Sequence, residues 1–123
     1  MTEAKTPSNT HEGGCHCGAV RYRAEVAVGN AMSCNCSRCQ KLGWLLTFIP
    51  ATQFTLVSGA DMLTDYRFNT GNIAHLFCKK CGIESFGRGK GADGMEMVAI
   101  NLRCLDGVEP DELTITKVNG RIR

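Results

Sequence analysis

Seven of the eight cysteines in this chain fall into three tight clusters, and no other feature limits its fold so strongly. The clusters are Cys15-His16-Cys17, Cys34-Asn35-Cys36-Ser37-Arg38-Cys39 and Cys78-Lys79-Lys80-Cys81, with Cys104 standing alone. Cysteines one or two residues apart can point their sulfurs at one ion, whereas a disulfide between such close neighbours is strained and reducible. The clusters therefore favour a metal.

The compartment supports the same reading. Residues 1–12 are polar and lack the apolar run of a secretory signal, so they are expected to be a flexible leader, with a single zinc-binding domain over 13–123. The most apolar stretch, Trp44 to Pro50, is far too short to span a bilayer, which argues against a membrane protein. With 43% hydrophobic and 21% charged residues in 123, the balance is that of one ordinary globular domain. The cytoplasm is the expected location, and in its reducing conditions dense cysteine points to metal or redox chemistry.

Two clusters share one design. Gly18 follows Cys17 and Gly82 follows Cys81, and glycine lets the chain turn so that backbone N–H groups face the thiolates. Cys15, Cys17, Cys78 and Cys81 make a complete tetrahedral four-sulfur set, read as a structural site. The middle cluster offers only Cys34, Cys36 and Cys39. Three ligands leave one position open, the mark of a catalytic site. All-thiolate tetrahedral ligation suits zinc, with rubredoxin-type iron as the competing choice, and two Zn2+ per chain are expected.

Between the clusters the chain reads as mainly β with little helix. Val20, Tyr22, Ala24 and Val26 alternate with charged residues, the period of a strand with one buried face. Further strands are expected at Leu45 to Ile49, Phe54 to Val57, Thr64 to Phe68, Ile73 to Phe77, Ile83 to Phe86 and Met95 to Asn101. Turn signals lie at Ser58 to Asp61, Asn69 to Asn72 and in the glycine-rich Gly87 to Gly94 stretch. One short helix is expected to start at Ser37 and fade by Gly43.

The order CxC, CxCxxC, CxxCG, with Gly13-Gly14-Cys15-His16-Cys17-Gly18-Ala19-Val20 at the start and Ile100-Asn101-Leu102-Arg103-Cys104-Leu105-Asp106-Gly107 near the end, resembles the glutathione-dependent formaldehyde-activating enzyme family, to which centromere protein V belongs. The likeness runs from Gly13 to about Leu113, and the chain looks like one of the short members. It implies a tent-like, zinc-bound β-sheet fold. It also implies structural ligands at Cys15, Cys17, Cys78 and Cys81, and active-site ligands at Cys34, Cys36 and Cys39. The implied activity is the making or breaking of a carbon–sulfur bond, as when glutathione adds to formaldehyde. Asn101 and Arg103 are candidate contacts for the thiol.

Charge count narrows the chemistry further. A zinc ion with three thiolates carries a formal −1, so it is a weak activator of water and better suited to holding an incoming thiol as thiolate. Seven thiolates and two zinc ions would bring the chain's formal +2 to about −1. That near-neutral balance, without a basic run, argues against a nucleic-acid partner for Arg21, Arg23, Arg38, Lys41, Lys79 and Lys80. The expected partners are a small thiol such as glutathione and a small electrophile such as an aldehyde.

His16, between two ligands, should face away from the ion, and His75 reads as a strand residue. Trp44, Phe48 and Phe86 are either pocket or core. Cys104 carries the alternative: if the fold brings it to the middle cluster, that site closes and the protein is a non-catalytic zinc-stabilised binding module.

Overall fold

The structure, a computed structural model, describes residues 8–67, 73–91 and 93–118. Phe68 and the expected turn at Asn69 to Asn72 lie outside the described residues.

The alternating segment forms the strand it predicts. Strand β2 (Arg21–Ala27) turns Tyr22, Ala24 and Val26 fully inward, and Val20 precedes it in the same buried row. Its neighbours are β1 (Ser8–Gly14) and β5 (Phe54–Ser58), giving a three-stranded antiparallel sheet in the order β1-β2-β5. The expectation of a loose leader through residue 12 is corrected here, since Asn9 to Glu12 pair along β2 from Val26 to Arg23. A polar edge strand has no buried face of its own, so hydrophobic alternation could not reveal it.

The second sheet has seven strands. β3 (Asn30–Cys34), β4 (Leu46–Pro50), β6 (Leu63–Tyr66), β7 (Ile73–Cys78), β8 (Phe86–Lys90), β9 (Glu96–Asn101) and β10 (Thr114–Val118) run in the order β10-β3-β4-β9-β8-β7-β6. All pairings are antiparallel except β10 with β3. The main core lies between the sheets: Tyr22, Phe54 and Phe86 stack with ring centroids 4.7–5.7 Å apart, over Val98, Ile100 and Leu102. Each such ring buries a large apolar area, so three in contact anchor this core.

The strand expected at Ile83 to Phe86 is displaced. β8 begins only at Phe86 and runs through the glycines read as a turn. Gly87 explains this, because a Cβ there would meet the Ala74 carbonyl oxygen at 3.1 Å. Glycine lets β8 close up on β7, and pairing on both sides overrides its poor strand propensity. Residues Gly82 to Ser85 instead form a pinned connector. The Ser85 carbonyl accepts from the Tyr22 hydroxyl and the Asn101 backbone N–H, both at 3.1 Å, and the Glu84 carbonyl accepts from the Asn101 side chain at 3.0 Å.

Helix α1 (Ser37–Leu42) starts and stops where the sequence predicts. Cys36 caps it, its sulfur accepting from the Cys39 N–H at 3.3 Å, and Gly43 closes it in the left-handed conformation. Among the described residues, no helix is long and apolar enough to cross a membrane.

Candidate metal centres

The fold assembles two groups of sulfurs. Cys15 and Cys17, after β1, meet Cys78 and Cys81, at the turn after β7; Cys34, Cys36 and Cys39 gather around the start of α1. In each group the sulfurs all lie within 4.8 Å of one another.

Spacing tests whether a metal fits. Sulfurs about 2.3 Å from a tetrahedral centre sit about 3.8 Å apart. Cys15 and Cys17 sulfurs are 3.6 Å apart, and Cys17 and Cys78 sulfurs 3.7 Å, far beyond any disulfide. Gly18 and Gly82 both take the left-handed conformation, with φ of 83° and 80°. These turns aim backbone N–H groups at sulfur. Val20 N–H donates to Cys15 at 3.3 Å, while N–H groups at Ala19 and Ile83 act on Cys17 and Cys81. Such donors favour thiolate over thiol, although at Cys17 the Ala19 N–H is outweighed by burial and the neighbouring sulfurs of Cys15, Cys78 and Cys81, which push the thiol up to about 11. Burial pushes Cys81 up, yet the N–H groups of Cys17 and Ile83 outweigh it and bring the thiol down to about 6. Cys78 is likewise lowered, chiefly by the Cys81 N–H. The four residues fit a closed thiolate–metal site.

The three-sulfur group is built from N–H donors too. Cys36 N–H approaches the Cys34 sulfur at 3.5 Å, and the buried indole of Trp44 donates through Nε1 to the Cys39 sulfur at 3.3 Å. Cys39 is the deepest of the three, and burial pushes its thiol up to about 12 against the Trp44 bond that lowers it. In Cys36 burial is outweighed by the Cys39 N–H and its neighbours, so its thiol lies below the ordinary range. A buried thiol among donors is what a metal would deprotonate. Cys34 and Cys39 also line a groove of about 410 Å³ with Asn35, Gln40 and Lys117, so the sulfurs border accessible space.

The remaining sequence candidates are distributed differently. Among the described residues no fourth Cys, His, Asp or Glu joins the three-sulfur group. Cys104 lies by the four-sulfur cluster instead: burial, then the charges of Cys15 and Cys81, push its thiol up to about 11. His16 is exposed and His75 lies within β7. Trp44 packs beside the three-sulfur group, but Phe86 belongs to the main core and Phe48 is 48% exposed. Asn101 is buried, its amide donating to the Glu84 carbonyl and accepting from the Arg103 N–H. That commits its side chain to the chain's own backbone. Arg103 is exposed. Of the basic residues weighed for phosphate, Arg21 pairs with Asp106, Arg23 with Glu12 and Arg38 with Glu84.

Sequence reasoning passed over Glu84. Its side chain is 1% exposed, and it binds Arg38 at 2.6 Å and His75 at 3.3 Å. The signal was there as an acidic residue three positions after a cysteine of a CxxCG knuckle, but nothing in the spacing marked it as buried.

A mainly β scaffold around one four-cysteine and one three-cysteine cluster defines a class: small proteins built around cysteine clusters that could hold metal ions. The family model described as glutathione-dependent formaldehyde-activating enzyme matches residues 10–117, and the chain belongs to that family. It is also similar to a protein of Rhodobacter sphaeroides known from a crystal structure, with 34% identity and a TM-score of 0.74, over 85% of this chain and 99% of that one.

Proposed function

We propose that the protein is a zinc-dependent enzyme that makes or breaks a carbon–sulfur bond between a thiol, such as glutathione, and a small electrophilic carbon such as an aldehyde. The observation that carries this reading is a three-cysteine cluster with no fourth protein donor among the described residues, bordering a groove. The family name agrees with it.

Cys34, Cys36 and Cys39 would hold the catalytic Zn2+, and Cys15, Cys17, Cys78 and Cys81 a structural one. When bound at the three-cysteine site, zinc would supply an open position where a thiol is held in its nucleophilic thiolate form. The chain's own residues do the rest. The N–H groups of Cys36, Cys39 and Trp44 spread the negative charge of the sulfurs, and α1 keeps Cys36 and Cys39 in register. In the groove, Gln40 and Lys117 offer polar contacts to a thiol's functional groups, whereas Asn101, bound to the Glu84 carbonyl and the Arg103 N–H, and Arg103 are not among its lining residues. In the addition, sulfur forms a bond to the carbonyl carbon, the C=O π pair moves to oxygen, and the proton lost by the thiol ends on that oxygen. The lyase direction reverses each change.

Cadmium-substituted protein tests this, because the metal's NMR shift counts the sulfurs around it. One of two resonances should move when glutathione is added, and that resonance should vanish in Cys36→Ser. Two four-sulfur resonances indifferent to glutathione would sink the enzyme reading and leave the non-catalytic, zinc-stabilised binding module.

A further inference from the structure

Glu84 is a buried carboxylate that the proposed chemistry does not use, and its two oxygens hold two different side chains, Arg38 and His75. One oxygen holds Arg38 at 2.6 Å, and Arg38 lies between Cys36 and Cys39 in the first turn of α1. The other meets His75 Nδ1 at 3.3 Å. The His75 ring packs 6.5 Å from that of Trp44, whose Nε1–H donates to the Cys39 sulfur. Two chains of contact thus leave one carboxylate and end on the same cluster. The Arg38 guanidinium is further fixed over the Tyr66 ring at 4.7 Å.

At its other end Glu84 belongs to the four-sulfur centre. It stands three residues after Cys81, on the connector pinned by Tyr22 and Asn101. That connector is also tied back to its knuckle, because Cys78 N–H donates to the Ile83 carbonyl at 3.0 Å and Gly82 N–H to the Cys78 carbonyl at 2.7 Å. Burying a carboxylate costs several kcal/mol unless it is paired, so Arg38 is held firmly once the connector is in place.

We infer that Glu84 is a positioning residue which, through Arg38, couples the two cysteine centres: ordering of the four-sulfur knuckle sets the geometry in which Cys36 and Cys39 receive a metal. Outer partners of this kind are commonly worth about tenfold to a hundredfold in metal affinity. The inference rests on reading the three-cysteine cluster as a metal centre, and is independent of the reaction performed there.

The chain's one tryptophan makes the test direct, since Trp44 touches only the three-cysteine cluster of the two. Metal-free protein is titrated with Co2+, with Trp44 fluorescence reading that centre and thiolate-to-cobalt absorption reading both. Glu84→Gln should weaken binding at the three-cysteine centre at least tenfold and shift its absorption band, leaving the four-sulfur centre unchanged. Arg38→Gln, at a side chain 22% exposed and expected to fold, should do the same, and the double variant should be no worse than either single one. Equal weakening at both centres, an unchanged three-cysteine centre, or losses that multiply in the double variant would overturn the coupling. If fluorescence of the unaltered protein ignores Co2+, the metal reading itself fails, a result distinct from these.

Discussion

The two centres should differ in what they do for stability, and polymer geometry sets the size of the difference. In the four-sulfur centre Cys17 and Cys78 meet although 61 positions separate them, whereas the other centre spans only Cys34 to Cys39. A bridge that closes a loop of about 60 residues removes about 4 kcal/mol of chain entropy from the unfolded state; one closing about five residues removes about 2 kcal/mol. With about 2.1 cal/mol/K of unfolding entropy per residue, those terms correspond to about 16 °C and about 8 °C in Tm for a chain of 123 residues. The perturbation is Cys78→Ser with Cys81→Ser, which strips both donors from one side of the long loop. Cys34→Ser with Cys36→Ser is the matched change at the short one. Calorimetric or circular-dichroism melts of zinc-loaded proteins, with metal content measured in parallel, should show the first pair losing about twice as many degrees as the second. Equal losses, or a larger loss from the middle pair, would refute the assignment of the long-range clamp to Cys15, Cys17, Cys78 and Cys81.

Two further outcomes follow from the local environments. On acidification the three-cysteine centre should release its metal at a higher pH than the four-sulfur centre, because it has one protein thiolate fewer to hold the ion against protons. Trp44 fluorescence during a pH titration would follow this, and simultaneous release would contradict it. Cys104→Ser should leave two metals per chain by elemental analysis, because Cys104 joins neither sulfur group. Loss of either ion would assign it a ligand role the geometry denies it.

The cysteine clusters were legible in the sequence because each knuckle is a local object, its cysteines and its turn lying within a few residues, even though two knuckles 61 positions apart combine in the four-sulfur group. The groupings at Cys78 to Cys81 and at Cys34 to Cys39 that the spacing suggested are the ones whose sulfurs the structure brings together. Strand β2 was legible for a similar reason, since Val20, Tyr22, Ala24 and Val26 are buried at every second position. What escaped was decided at a distance. β1 and β10 are polar edge strands held by backbone bonds to β2 and β3, so their side chains carry no periodic trace. β8 is a strand in spite of its glycines because β7 and β9 flank it. Glu84 is buried because Arg38 and His75, 46 and nine positions away, converge on it. Asn101 looked like a surface ligand contact, yet a backbone carbonyl on another segment claims its amide.

The parallel pairing of β10 with β3 has a consequence for the order in which the protein can be finished on the ribosome. Cys34 is matched with Val118, and Lys117 and Val118 form one wall of the groove beside the sulfurs. The three-cysteine ligands are synthesised early, within six consecutive residues, but their groove is completed only when the strand at Thr114–Val118 emerges. The four-sulfur centre has all its ligands once Cys81 is made. During translation the chain would thus complete its long-range four-sulfur group first and the groove beside the other three sulfurs last, because the wall at Thr114–Val118 follows Cys39 by some 75 residues.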